Sequence, residues 1–182
     1  MGQPFRFIFC DRGRISRSLR LWQAAFLICL SPVTVLGADW SDTTPPINLT
    51  HIFEGEVNKR GKPVGFHART RGMDPENAHL VRLTSGPNRL GVYTGVVEIY
   101  DVDQGLWKRK NFSSFYPDKL TRAEIQTLIL RAFHQSKPNA KGKWRAKSGA
   151  GFQIEGWLCP KGGTDTCPDG AINTAYPIYR KD

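Results

Sequence analysis

His51-Ile52-Phe53-Glu54-Gly55-Glu56-Val57-Asn58-Lys59-Arg60-Gly61-Lys62-Pro63-Val64-Gly65-Phe66-His67 is the stretch around which the rest of the chain falls into order. Two imidazoles stand 16 positions apart, on either side of a turn-forming Asn58-Lys59-Arg60-Gly61-Lys62-Pro63 segment flanked by short apolar pieces. Such a segment returns on itself as a hairpin or loop and brings both rings toward one cleft. Histidine exchanges protons near neutrality, with an unperturbed pKa of about 6.5, so a cleft holding two suits paired proton transfer. A random pair of histidines is more often structural. What gives this pair weight lies elsewhere in the chain.

On its N-terminal side, residues 39–50 contain Pro45-Pro46 and no hydrophobic periodicity, which predicts a linker or extended arm before a domain over 51–182. Residues 1–38 read as a signal peptide: five arginines against Asp11, the apolar run Leu21-Trp22-Gln23-Ala24-Ala25-Phe26-Leu27-Ile28-Cys29-Leu30, and the small-residue site Leu36-Gly37-Ala38. The run is shorter than the roughly 20 residues of a membrane span. A secreted or periplasmic protein without stable membrane insertion after cleavage is therefore expected. Beyond the leader only Cys159 and Cys167 remain, around the turn-rich loop 160–166; in an oxidising compartment they are expected to form a disulfide, their spacing being too long for a zinc knuckle.

The chain has 182 residues and a net charge of +10. That length fits one domain with a real core, and the basic balance disposes it toward polyanions without proving a nucleic-acid partner.

On the C-terminal side, residues 68–77 read as loop, His79–Thr84 as a short strand, and Val92–Asp101 as the clearest strand, with Tyr93, Val97 and Ile99 on one face and Thr94, Val96 and Glu98 on the other. Lys108, Arg109 and Lys110 follow in a basic, aromatic stretch, and Asn111–Pro117 looks extended. Thr121–Ser136 is a helix: Thr121 and Glu124 have capping-box spacing, and Ile125, Leu128, Ile129, Ala132 and Phe133 share a face. Strands are predicted over Lys143–Lys147, Gly151–Cys159 and Ala171–Tyr179, so the class is α+β. Trp157 reads as core, supporting the wall of the site. Lys141, Lys143, Arg145 and Lys147 read either as a backbone-tracking stretch or as a solvated loop. His79 and His134 call for no catalytic role.

Three features then line up in order over residues 50–180. They are the histidine pair with Gly65-Phe66-His67; Lys108 or Lys110 ahead of Ser113-Ser114; and Trp157-Leu158-Cys159 followed by Thr174-Ala175-Tyr176-Pro177. In these the sequence resembles the EndoU family of endoribonucleases, its bacterial nuclease and toxin branch most closely, although the loop between Cys159 and Thr174 is longer than in viral members. The resemblance implies an EndoU-like (BECR-type) fold of two small antiparallel sheets with packed helices. It further implies cleavage of single-stranded or loop RNA, preferentially at uridine, by 2′-hydroxyl attack that leaves 2′,3′-cyclic phosphate and 5′-hydroxyl ends.

By the same resemblance, His67 is the general base and His51 the general acid, Lys108 or Lys110 supplies the cation, and Thr174 and Tyr176 select the base with Ser113 and Ser114 nearby. The residue types fit that chemistry independently, since the reaction needs one proton acceptor, one donor and one positive charge at phosphorus. Tyr176 can stack on a base or ribose, and Thr174 can bond a pyrimidine edge or orient the phosphate. The sequence carries no phosphate-binding glycine loop, no Gly-x-Ser-x-Gly elbow and no acidic cluster for a divalent metal, so no cofactor is expected. Stimulation by manganese, known for some family members, stays an open expectation. An exported ribonuclease of toxin type would also need a cognate inhibitor or immunity protein. The competing reading is a non-catalytic secreted module that binds RNA or another polyanion on the same fold.

Overall fold

A short glycine-containing turn between two extended pieces pairs them antiparallel. Glu56–Val57 (β1) and Pro63–Val64 (β2) do this, with Glu56 opposite Val64 and Val57 opposite Pro63. The computed structural model describes residues 39–182, so the signal-peptide reading of 1–38 lies outside the described residues. Two three-stranded antiparallel sheets carry the rest. The first has the order β3-β4-β5, from Ala78–Ser85, Tyr93–Asp101 and Leu106–Phe115; the second has the order β6-β7-β8, from Lys143–Lys147, Gln153–Leu158 and Ile172–Pro177. One α-helix, α1 (Arg122–His134), joins them in sequence. The class is α+β as expected, with the β1-β2 ribbon as a third small sheet beyond the two that the resemblance implies.

The helix forms where its local signals say. Thr121 Oγ1 accepts from the Glu124 N–H at 3.2 Å, and the Glu124 carboxylate accepts from the Thr121 N–H at 2.8 Å, so two otherwise orphaned donors are satisfied reciprocally. Ile125, Ile129 and Ala132 are buried on one face and join a core with Trp144, Ile154, Ile172 and Ala175 from the second sheet. Burying each large aliphatic side chain contributes about 1.5–3 kcal/mol before entropy is counted. A second core lies on the first sheet: Phe66 meets Phe115 edge-on at 5.2 Å, and Tyr93 stacks on Phe115 at 4.9 Å, beside Val97 and Ile99.

The histidine stretch is anchored in both cores. Ile52 and Phe53 sit in the first and Phe66 in the second. Residues 39–50 form bends and isolated bridges and are held against the domain. Ile47 is fully buried, the Ile172 N–H donates to the Pro46 carbonyl at 2.8 Å, and the Asn48 N–H donates to the Ile172 carbonyl at 3.0 Å.

The two pieces expected over 105–117 are one ten-residue strand, β5. Its pairing slips once: Lys110 stands opposite Val97 and Ser113 opposite Gly95, so Asn111 and Phe112 together oppose Val96 alone. A bulge of this kind inserts one residue and re-aims the side chains beyond it. Lys110 and Ser113, an odd number of positions apart, therefore share a face. Cys159 and Cys167 are joined as a disulfide at the end of β7. Among the described residues no helix is long and apolar enough to cross a membrane.

Candidate active site

His51 lies in a single π-helical turn, Thr50–Glu54, an irregularity often found at functional sites. The Asn48 side chain holds the turn in place, its Oδ1 accepting from the His51 N–H at 2.9 Å. Two backbone bonds then tie this turn to the far side of the hairpin: the Phe66 N–H donates to the His51 carbonyl at 2.8 Å, and the His67 N–H donates to the Ile52 carbonyl at 2.7 Å. These bonds fix the spacing of the rings, whose centroids stand 6.1 Å apart. The approach is close enough to require glycine at 65, where φ is +76°. Phe66 follows with φ of +58°, a left-handed conformation that costs a non-glycine residue free energy and is over-determined here by its burial.

The two histidines are 8% and 7% exposed, but their partners differ. His51 Nδ1 is 2.8 Å from Glu56 Oε1, five residues on in the same stretch. His67 Nδ1 is 3.0 Å from the Ser114 carbonyl oxygen, which can only accept, so the proton resides on Nδ1 and Nε2 keeps its lone pair. Burial pushes the His67 pKa well below the ordinary histidine value; Lys110 and His51 push it the same way, against the Ser114 carbonyl, which raises it. His67 is therefore a neutral imidazole at neutral pH.

Of the two lysines left open by the sequence, the structure brings one to the histidines. Lys110 Nζ donates to the Gly65 carbonyl at 2.5 Å and to Ser113 Oγ at 3.1 Å, and Ser113 Oγ lies 3.3 Å from His67 Nδ1. Burial lowers the Lys110 pKa to about 8, so the amine is still mainly charged at neutrality. Lys108 points to the same face but is engaged elsewhere: its amine is 2.8 Å from Asp101 Oδ2 and donates to the Gly61 carbonyl at 3.2 Å. Neither serine hydroxyl is free to donate outward, since Ser113 Oγ donates to the Phe66 carbonyl at 2.6 Å and Ser114 Oγ to the Pro177 carbonyl at 2.7 Å.

The second sheet contributes the opposite wall. Tyr176 in β8 stands 5.2 Å from the His67 ring, and its hydroxyl donates to Glu155 Oε1 at 2.7 Å. Glu155 is directly opposite Tyr176 in the β7-β8 register and also receives Arg145 Nε at 2.8 Å and Lys143 Nζ at 3.2 Å. Lys143 and Arg145 thus lie in strand β6, the Lys143–Lys147 strand expected from sequence, and lean onto a buried carboxylate. Thr174, opposite Trp157, carries a buried Oγ1 with no partner among the described residues. Trp157 is not core as expected from sequence: it is half-buried, 5.9 Å from Tyr176, with the Lys143 amine 4.8 Å from its ring centre.

Glu56 and Glu155 escaped the sequence reading. Glu56 was discoverable, lying between the two histidines, whereas Glu155 gains its partner only through strand register. His79 pairs with Glu98 at 3.2 Å, away from the pair. Among the described residues no three His, Cys, Asp or Glu side chains converge as a metal-ligand group.

Two three-stranded antiparallel sheets and the β1-β2 ribbon, with a histidine pair and a buried amine facing Tyr176, make this an α+β protein with acid–base groups gathered at one site. A family model for the bacterial EndoU nuclease matches residues 47–179, and the chain belongs to that family of nucleases. No curated protein and no solved structure matches it.

Proposed function

We propose that the protein is an exported endoribonuclease that cuts single-stranded or loop RNA, preferentially at uridine, by attack of the ribose 2′-hydroxyl on the adjacent phosphorus. The observation that supports this reading best is the unequal setting of the two histidines. His67, dry and neutral with Nε2 bare, is equipped to take the 2′-hydroxyl proton. His51, its Nδ1 facing the Glu56 carboxylate, is equipped to hand a proton from Nε2 to the departing 5′-oxygen, because the carboxylate meets the positive charge that a proton donor carries. As the 2′-oxygen bonds to phosphorus and the bond to the 5′-oxygen breaks, negative charge grows on the phosphoryl oxygens. The Lys110 ammonium, held by Gly65 and Ser113 with one donor to spare, is the cation suited to meet it.

Tyr176, whose hydroxyl is committed to Glu155, presents its ring for stacking. Thr174 Oγ1 is buried and unpaired, at a cost of about 1–3 kcal/mol, so a turn of this side chain toward a base edge in the cleft would gain it a partner. Uridine preference rests on this pair. Export accords with the Cys159–Cys167 disulfide. In a toxin role the producer would need a cognate inhibitor protein occluding the cleft, and a response to manganese is a separate expectation.

The reading is tested by the product ends. Mass spectrometry of a cut oligonucleotide should find a 2′,3′-cyclic phosphate and a 5′-hydroxyl; a 5′-phosphate product would end it.

A further inference from the structure

The face of the first sheet turned away from the hairpin is partly exposed: Val96 and Thr94 are buried at its centre, while Arg82, Arg109 and Phe112 reach solvent around them. Strand register sets side chains on it in two rows: His79, Glu98 and Arg109 in one, and Arg82 and Val96 with the Asn111-Phe112 bulge in the other. Trp107 stands opposite Tyr100 in the next row, its ring 4.6 Å from His79 and 5.3 Å from Tyr100. Phe112 is 61% exposed and Trp107 44%, and the Arg109 side chain between them is 51% exposed. Exposed apolar groups gathered on one face, rather than scattered singly, mark interaction sites.

Three observations say what the occupant is. Firstly, the series alternates ring, guanidinium, ring along one strand, the pattern that holds a single-stranded nucleic acid by stacking its bases and pairing its phosphates. Secondly, the face is cationic. Arg82 is exposed with no ion-pair partner among the described residues, and Arg109 reaches Glu98 only at 4.0 Å, while Glu98 is held by His79 at 3.2 Å. Thirdly, the series begins at the cleft. Two residues past Phe112, Ser114 offers its carbonyl to His67, and its hydroxyl donates to Pro177, the neighbour of Tyr176. From Phe112 to Trp107 is about 17 Å of extended strand, room for roughly two or three bases laid on a sheet.

We propose that this outer face of β3-β4-β5 is a second binding site, in which Phe112 and Trp107 stack bases and Arg109 and Arg82 pair phosphates of the single-stranded RNA leading out of the cleft. The site rests on the ribonuclease reading for its substrate, but it acts on affinity for longer RNA and takes no part in the chemistry.

The test measures both properties separately. Binding of a labelled 12-nucleotide RNA is followed by fluorescence anisotropy in a His67→Ala background at two salt concentrations. Cleavage of a dinucleotide and of the 12-mer is followed in the active protein. Trp107→Ala and Phe112→Ala should each weaken 12-mer binding roughly 5- to 100-fold and raise KM for the 12-mer, leaving dinucleotide cleavage unchanged; Trp107→Phe should restore most of the loss. Arg109→Gln should reduce the slope of log affinity against log salt by about 0.7 to 1.

Melting temperatures of the variants check that each is folded. Unchanged 12-mer binding in folded Trp107→Ala and Phe112→Ala overturns the proposal, as does an equal loss on the dinucleotide. If the parent cuts no RNA, the ribonuclease reading fails while the anisotropy arm still decides whether the face binds RNA.

Discussion

A Cβ placed on Gly65 would stand 2.2 Å from the carbonyl oxygen of His51, the atom that accepts from the Phe66 N–H. This contact couples the two catalytic candidates through the backbone. Gly65→Ala should therefore cost at least about 2 kcal/mol of stability from strain at positive φ together with the collision, and should reduce cleavage further by spreading the histidine rings. Gly86→Ala, which meets nothing within 4 Å, is the matched control and should be close to neutral. Thermal melting and initial rates on one RNA check both.

Activity should follow a bell-shaped pH profile. His67 must be deprotonated to act as base, and burial places its pKa well below 6.5, so kcat/KM rises on the acid side and is already at its plateau by neutrality. Lys110 must be protonated to meet the phosphoryl charge, so the rate falls as pH passes about 8. Lys110→Arg, where it retains activity, should lose the part of the alkaline fall that Lys110 sets, since guanidinium stays charged, and keep the part set by the need for a protonated His51 as acid. A rate climbing steadily from pH 6.5 to 9 would contradict these assignments.

The two lysines should separate cleanly. Lys110→Ala removes the cation beside His67 and is expected to lower kcat by about 10²–10³. Lys108→Ala leaves the buried Asp101 carboxylate without its partner at the β4-β5 turn and should lower the melting temperature while sparing most of kcat. Rates and melts of the pair measured side by side decide the matter.

Tyr176 is held from behind by Glu155, and the order of losses should reveal it. Tyr176→Ala, which deletes the stacking ring, should cost roughly 5- to 100-fold in kcat/KM. Glu155→Ala should cost up to about 10-fold by freeing the ring, and Tyr176→Phe no more than that. Steady-state kinetics on a uridine-containing oligonucleotide gives the ranking. Glu155→Ala exceeding Tyr176→Ala would mean that the carboxylate itself meets substrate.

What could be read from the sequence was what is local. The Thr121-Glu124 capping box and the 3.6-residue periodicity of Ile125, Ile129 and Ala132 place α1 within two residues at its C-terminal end. The turn between the histidines announced the β1-β2 hairpin because its residues act on their own backbone. What depended on register stayed hidden. Lys110 and Ser113 are an odd number apart and would face opposite ways in a regular strand; only the bulge opposite Val96 puts them together. Glu155 is unremarkable in sequence until β8 sets Tyr176 against it. Trp157 looked like core because large aromatics usually are, but it lies on the sheet face that bears Tyr176 and Lys143.

The central claim is that His67 takes the proton of a ribose 2′-hydroxyl. It is tested most directly with an oligonucleotide that is deoxyribose throughout except for one ribouridine, incubated with the wild-type protein and with His67→Ala. The account predicts a single cut on the 3′ side of that uridine, a fall of about 10²–10⁴ in rate for His67→Ala, and no cut when the uridine is also 2′-deoxy. Cleavage of the fully deoxy strand, or a His67→Ala variant as fast as wild type, would contradict it.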